Sequence, residues 1–353
     1  MSGISATTAW TDLPCALGPP AASGLLRAAT ADFQVFEELG YSPDGAGEHL
    51  FVRVRKEGWN TPDVARWLAG ALQIPQKAIT WAGLKDRHAV TEQWFGIHAA
   101  GQALELPEPP PGLTWIATLR HGKKLRVGAL RGNRFRLVLR DVQGHSADIH
   151  RRLLQIARVG VPNYFGAQRF GINGRNLERA AALFAGRRER DRTKRGLYLS
   201  AARSFLFNQV LAHRVSAGNW NHGLPGDVMT FTDSHSLFMA DDNTAGDARL
   251  PRLDIHPTGP LPGEGGKPPT DDVATLEQQV LAGYPEFVGG LARCGLRGER
   301  RALRVTVAGL SWRPLDGSAW EVGFELPAGS YATAVLRELG QFPDARDQAR
   351  SST

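Results

Sequence analysis

The 353-residue chain holds 42% hydrophobic and 22% charged residues, a globular balance that excludes a largely disordered or membrane-embedded protein and suits about two domains. Lysine and arginine outnumber aspartate and glutamate by 42 to 35, and this net charge of +7 favours a polyanionic partner. Cys15 and Cys294 stand alone, which excludes a disulfide framework or a zinc cluster. The first twenty residues lack the basic start and apolar core of a secretory signal, and no apolar run reaches membrane-span length, so the expected location is the cytoplasm.

Residues 50–55, LFVRVR, alternate with period two, as in a half-buried strand with Leu50, Val52 and Val54 on one face and Arg53 and Arg55 on the other. Asn60-Thr61-Pro62-Asp63 then supplies an N-cap, an early proline and an early acid, and Val64, Trp67, Leu68, Ala71 and Leu72 recur at helical spacing before Pro75. Residues 78–82 and 94–97 read as strands around a polar turn, KDRHAVTEQ, which gives residues 50–97 an α+β pattern. A proline-rich loop at 105–112 leads to RFRLVLR at 134–140, a strand with Phe135, Leu137 and Leu139 on its apolar face. Beyond about residue 145 the periodicity turns helical, over 147–159, 175–184 and from Leu199 to about Val215. Proline and glycine crowd 251–272, which reads as loop. Strands return at 303–307 and 320–326, a helix runs from Ser330 through Leu339, and the last ten residues read as frayed. This order predicts one α+β domain from residues before about 160 and after about 306, with a mostly helical insert.

Eight basic residues and no acid lie between Arg120 and Arg140. Arg134, Arg136 and Arg140 share the polar face of the predicted strand, a stripe able to track a phosphate backbone, although an ordinary solvated face has the same pattern. The run 187–195 mixes Glu189 and Asp191 among its basic residues and reads more readily as a salt-bridged surface turn. Asp86, between Lys85 and Arg87, sits in a turn held by two strands. An aspartate is ionised at neutral pH and a nearby cation favours that form, so it suits a nucleophile or base, although by itself the local sequence reads more readily as an Asx turn. Asp241-Asp242 and Asp271-Asp272 read as turn caps without a partner at metal spacing. Phe33, Asn133, Phe135 and Tyr331 set aromatic faces near polar groups; such faces stack on bases for about 1–3 kcal/mol each, and core packing is the alternative.

Together, TADFQVFEELGYSPDGAGEHLFVRVRKEGWNT (30–61), AGLKDRHAVTEQWFGI (82–97), GNRFRLVLR (132–140), GVPNYFGAQRFG (160–171) and LPAGSYATAVLREL (326–339) resemble the TruD family of tRNA pseudouridine synthases, in the family's order. The resemblance implies an α+β pseudouridine synthase catalytic domain, a mixed or antiparallel sheet with flanking helices, over 1–158 and 306–353. It implies an inserted, mostly α TRUD domain over 159–305. The implied enzyme is a monomeric, cytoplasmic isomerase (an intramolecular transferase) without metal or other cofactor, membrane or obligate protein partner. Its partner is tRNA, glutamate tRNA in particular, whose uridine 13 becomes pseudouridine: the N1 glycosidic bond breaks, the uracil turns and C5 rejoins C1′.

By the same resemblance Asp86 in GLKDR is the catalytic aspartate, which attacks the sugar C1′ or abstracts a proton to give a glycal, beneath a flipped base. Arg27, six residues before Phe33, is its basic partner. Phe33, Asn133, Phe135 and Tyr331 contact the substrate. Arg131, Arg134 and Arg169 are candidate RNA-backbone contacts in a cleft between the domains. The rival reading is a catalytically inactive RNA-binding or RNA-chaperone protein of the same fold. Intact Asp86, Phe33, Asn133 and Arg27 speak against it, because a binder needs the arginines but not that aspartate.

Overall fold

The computed structural model describes residues 12–99, 104–234, 236–241 and 243–346. In chain order the strands are β1 (Ala22–Leu25), β2 (Phe33–Leu39), β3 (His49–Lys56), β4 (Ile79–Trp81), β5 (Val90–His98), β6 (Leu113–His121), β7 (Leu130–Gln143), β8 (Val161–Pro162), β9 (Val228–Phe231), β10 (Leu237–Met239), β11 (Ile255–Leu261), β12 (Glu299–Ala302), β13 (Arg304–Val305), β14 (Ala308–Pro314), β15 (Trp320–Pro327) and β16 (Gly340–Gln341). The helices are α1 (Thr61–Ala71), α2 (Ser146–Val159), α3 (Arg175–Phe184), α4 (Arg192–Ser216), α5 (Asp271–Ala282), α6 (Pro285–Ala292) and α7 (Ala332–Leu339). They group into two compact units: Ala22–Ser146, Ala308–Gly329 and Gly340–Thr353 form the sheet unit, and Met1–Ala21, Ala147–Val307 and Ser330–Leu339 the helix-rich unit. This is the α+β class expected. No helix among the described residues is long and apolar enough to cross a membrane.

The sheet unit is one mixed sheet whose main path runs β14-β15-β7-β2-β5-β3-β6. Its ladders are antiparallel except for β2 with β5 and β1 with β16. Period-two alternation in β3 puts Leu50, Val52 and Val54 under α1, where they pack with Val64, Leu68, Phe95 and Ile97. Burying each such side chain contributes roughly 1.5–3 kcal/mol, so this cluster fixes α1 against the sheet. Phe51, between them, points to the other face and meets Trp94. β7, 14 residues long, pairs with β15, β2 and β1 and so carries the centre of the sheet.

Several expectations change. The polar turn ends earlier than predicted, because Val90 through Gln93 already pair with β3 or β2. α4 starts at Arg192, seven residues before the predicted Leu199: Asp191 caps it by accepting from Thr193 N (2.8 Å) and Lys194 N (3.2 Å), which draws the charged run into the helix. The proline-rich 251–272 is not all loop. Within it β11 is a mostly buried strand between β9 and β12, in which Pro257 pairs with Met229 of β9 and Pro260 with Arg300 of β12. Pro260 thus has no partner among the described residues on its β9 edge, and the Pro257 carbonyl accepts from Leu303 N (2.8 Å), a bond that needs no proline N–H. The strand expected at 303–307 is shorter, with β13 covering only Arg304–Val305, while β12 ends before it and β14 begins after it. Of the last ten residues, expected to be frayed, 344–346 are held in place, with Ala345 N donating to Leu26 O (2.9 Å), and 347–353 lie outside the described residues. Asp271 and Asp272 open α5, and Asp241 caps a turn through Asn243 N, while Asp242 lies outside the described residues.

Candidate active site

Asp86 lies in the loop between β4 and β5, and its two carboxylate oxygens have separate tasks. Oδ1 accepts from His88 N at 2.9 Å, the Asx turn that the local sequence allows. Oδ2 faces Arg27 Nη2 at 3.1 Å. The arginine is 6% exposed and the aspartate 33%, so the cation is sequestered while the carboxylate reaches the surface. A pocket of about 580 Å³ opens there, lined by Asn60–Asp63 at the start of α1 and by Leu84–His88.

The loop is mounted on polar groups from below. Lys56, fully buried at the end of β3, donates through Nζ to the carbonyls of Trp59 (2.8 Å), Asp86 (2.9 Å) and Lys85 (3.4 Å). Burial is the main influence on this lysine and brings its pKa down to about 8, against the pull of Asp86. Thr61 Oγ1 accepts from Lys85 N at 3.0 Å and donates to Gln93 Oε1 at 2.7 Å, and Gln93 Nε2 donates to Gly83 O at 3.0 Å. Lys85 Nζ reaches Glu37 Oε2 at 2.6 Å, and Trp94 N donates to Glu37 Oε1 at 3.1 Å. Burial pushes the Glu37 carboxyl pKa up, partly countered by Lys85.

Register explains which side chains share this face. Phe33, Val35 and Glu37 of β2 stand directly opposite Leu137, Phe135 and Asn133 of β7, and opposed residues point the same way. The Arg27 guanidinium rests 3.7 Å above the Phe33 ring, which meets Phe135 edge-on at 6.4 Å; Phe135 stacks on Phe324 at 5.3 Å. Phe33 and Phe135 are both buried. Asn133 Oδ1 is buried, and no described group donates to it.

The sheet unit therefore brings together Asp86, Arg27, Phe33, Phe135 and Asn133. Arg131 and Arg134 are both exposed; Arg131 lies where the β2–β7 register shifts, and Arg134, on the opposite parity of β7, covers the Phe36 ring at 4.1 Å and approaches Glu38 at 3.9 Å. The stripe they belong to is less free than its sequence suggests: Arg136 binds Glu321 and Arg140 binds Asp32, each at 2.6 Å. Tyr331 and Arg169 belong to the helix-rich unit, and both approach Phe165. The Tyr331 ring meets Phe165 edge-on at 6.0 Å; the Arg169 guanidinium lies 5.2 Å from that ring and donates to Ser200 Oγ at 3.1 Å.

Lys56 and the Glu37–Lys85 pair were missed by sequence reasoning, although parity marks them. Lys56 continues the inward series Leu50, Val52, Val54, and Glu37 continues Phe33, Val35. A charged residue on the core parity of a strand is that signal.

Comparison with known proteins matches the chain to one family. The family model of tRNA pseudouridine synthase D (TruD) matches residues 16–187 and 185–339. The tRNA pseudouridine synthase D of Methylococcus capsulatus is 45% identical over 350 residues, covering 97% of this chain and 98% of its own. That of Aeromonas hydrophila is 48% identical over 332 residues, covering 93% and 94%. A solved chain from Methanosarcina mazei, described as a TruD, shares the fold with a TM-score of 0.68 at 23% identity, over 93% of this chain and 95% of that one. With nearly full-length similarity at this level, the chain belongs to the tRNA pseudouridine synthase D (TruD) family.

Proposed function

We propose that the chain isomerises uridine 13 of tRNA, glutamate tRNA in particular, to pseudouridine, with Asp86 as the catalytic carboxylate and Arg27 as its basic partner. The observation that carries this reading is the Arg27–Asp86 ion pair, 3.1 Å long, with Asp86 lining a pocket. A uridine inside a folded RNA exposes neither C1′ nor C5 to a side chain, so the nucleotide leaves its stack and enters such a pocket, at a cost of a few kcal/mol. Asp86 then attacks C1′ or removes a sugar proton to give a glycal. The N1–C1′ bond breaks, the uracil turns, C5 bonds to C1′, and the C5 proton leaves; product and substrate have the same atoms.

The Arg27 guanidinium holds Oδ2, while the His88 N–H holds Oδ1, so the carboxylate is oriented before substrate arrives. Asn133 faces the same side with an acceptor that no described group satisfies, which suits a donor on the uracil edge or the RNA backbone. Phe33 and Phe135 form the floor under Arg27, and Tyr331 is the aromatic side chain assigned to the base from the helix-rich unit. Arg131, Arg134 and Arg169 are assigned to RNA phosphates. The catalytic domain is read as 1–158 with 306–353 and the TRUD insert as 159–305. An inactive RNA-binding protein has no use for a buried arginine fixed on a reachable aspartate, which favours the enzyme.

Site and target are tested together with a glutamate tRNA transcript and a second transcript carrying cytidine at position 13. Pseudouridine formed in the first and none in the second is the expected result. Equal formation in both would overturn the assignment of the target.

A further inference from the structure

Arg27 is held from two sides. Its Nη2 faces Asp86 Oδ2 at 3.1 Å, its Nη1 donates to Asp344 Oδ2 at 2.9 Å, and its flat face lies on Phe33 at 3.7 Å. Its Nε, also buried, has no partner among the described residues. The backbone offers no slack: Arg27 has φ +57, left-handed and unfavourable for a residue with a Cβ. The direction of the guanidinium is therefore set by the ring beneath it and the two carboxylates at its ends.

Asp344 is itself fixed. Leu26 and Asp344 form a parallel bridge, clamped by Leu26 N to Pro343 O at 3.0 Å and Ala345 N to Leu26 O at 2.9 Å. Arg346 N donates to Asp344 Oδ1 at 3.1 Å, and Arg346 Nε donates to the same oxygen at 2.7 Å. Burial works against the Asp344 carboxylate, but hydrogen bonds from Arg346 and Arg27 outweigh it and hold its pKa at about 2. At any pH the protein meets, it is a charged anchor.

We infer that Asp344, 317 residues from Arg27 in sequence, is a positioning residue for the isomerisation: it aims the Arg27 guanidinium so that Nη2 meets the Asp86 carboxylate. Because Arg27 is a rigid planar fork, fixing Nη1 fixes where Nη2 points. The inference rests on the proposed roles of Asp86 and Arg27.

The test measures tritium release from a glutamate tRNA transcript labelled at uridine C5, at saturating protein, together with tRNA affinity and thermal unfolding. Asp344→Asn is expected to slow turnover about tenfold or more, since small misplacements of a catalytic group are costly in rate, with affinity unchanged within about twofold. Asp344→Glu restores a carboxylate and recovers part of the rate, which a packing role would not produce. In an Arg27→Met background Asp344→Asn should cost no more than about twofold further, because its effect passes through the missing guanidinium. Should Asp344→Asn unfold, the same cycle is run with Asp344→Glu. A wild-type rate in the Asp344 variants, losses that multiply with Arg27→Met, or a loss confined to affinity would overturn the inference. Asp86→Asn separates the two levels: if it is inactive while Asp344→Asn turns over normally, only the role of Asp344 falls. If Asp86→Asn turns over like wild type, the reading of the site falls with it.

Discussion

At the residue scale the site is built from charges that the fold would otherwise avoid burying. Lys56 is the clearest case: a fully buried ammonium whose hydrogen bonds go to main-chain carbonyls of the segment carrying Asp86. Removing it as Lys56→Met leaves those carbonyls without a donor, an expected loss of about 1–3 kcal/mol of stability in chemical unfolding, with turnover falling further than tRNA affinity. Its pKa of about 8 in the fold, against 10.5 ordinarily, adds a pH signature. Between these values the unfolded chain binds more protons, so this group's contribution to stability rises with pH from about 8 to 10.5. Turnover should move the other way, because the neutral amine has one donor fewer for the loop. Rate and unfolding profiles across this window check both signs, and Lys56→Met should flatten both. Asp86 and Arg27 were legible in the sequence through the family's text, and Lys56 was legible in principle through strand parity. Asp344 was not, since no local pattern joins Arg27 to a residue 317 positions away that the Leu26–Asp344 bridge brings beside it.

At the scale of elements, the alternating strands and α1 were readable because a two-residue or 3.6-residue period is imposed by burial on one side. β11 was hidden: its two prolines read as loop because their compatibility with a strand depends on which edge is paired, a tertiary fact. The strand carries a further consequence. His256 is buried, with Arg304 Nε donating to its Nδ1 at 2.9 Å and its Nε2 beside Thr232 Oγ1 at 2.8 Å. Burial, with the adjacent Arg304 charge, lowers its pKa to about 3 from 6.5. The unfolded chain gains this proton first on acidification, so stability falls as pH drops from about 6.5 towards 3. Thermal unfolding at pH 7 and pH 5 should show the loss, and His256→Gln should diminish it; equal pH sensitivity in both proteins would place its origin elsewhere.

At the scale of the whole molecule, the sheet unit alone holds Asp86, Arg27, Asp344 and the aromatic floor, while Tyr331 and Arg169 stand in the helix-rich unit. The sequence suggested a free arginine stripe, but Arg136 and Arg140 are tied to Glu321 and Asp32, which leaves Arg131 and the more loosely held Arg134, 3.9 Å from Glu38, as the residues of that strand offered to phosphates on this account. Binding of tRNA should still weaken steeply with salt, as it does wherever cations replace counterions, and Arg131→Ala should reduce the slope of log affinity against log salt by about one phosphate contact. A salt-independent affinity would contradict this use of the +7 charge. Family membership makes the chain a pseudouridine synthase, and the central claim is that Asp86 performs the chemistry. The most direct measurement is tritium release from C5-labelled uridine in an unmodified glutamate tRNA transcript, comparing wild type with Asp86→Asn at equal tRNA occupancy and without added cofactor. The account predicts stoichiometric release by wild type and none by Asp86→Asn despite retained binding. Equal release by both proteins would contradict it.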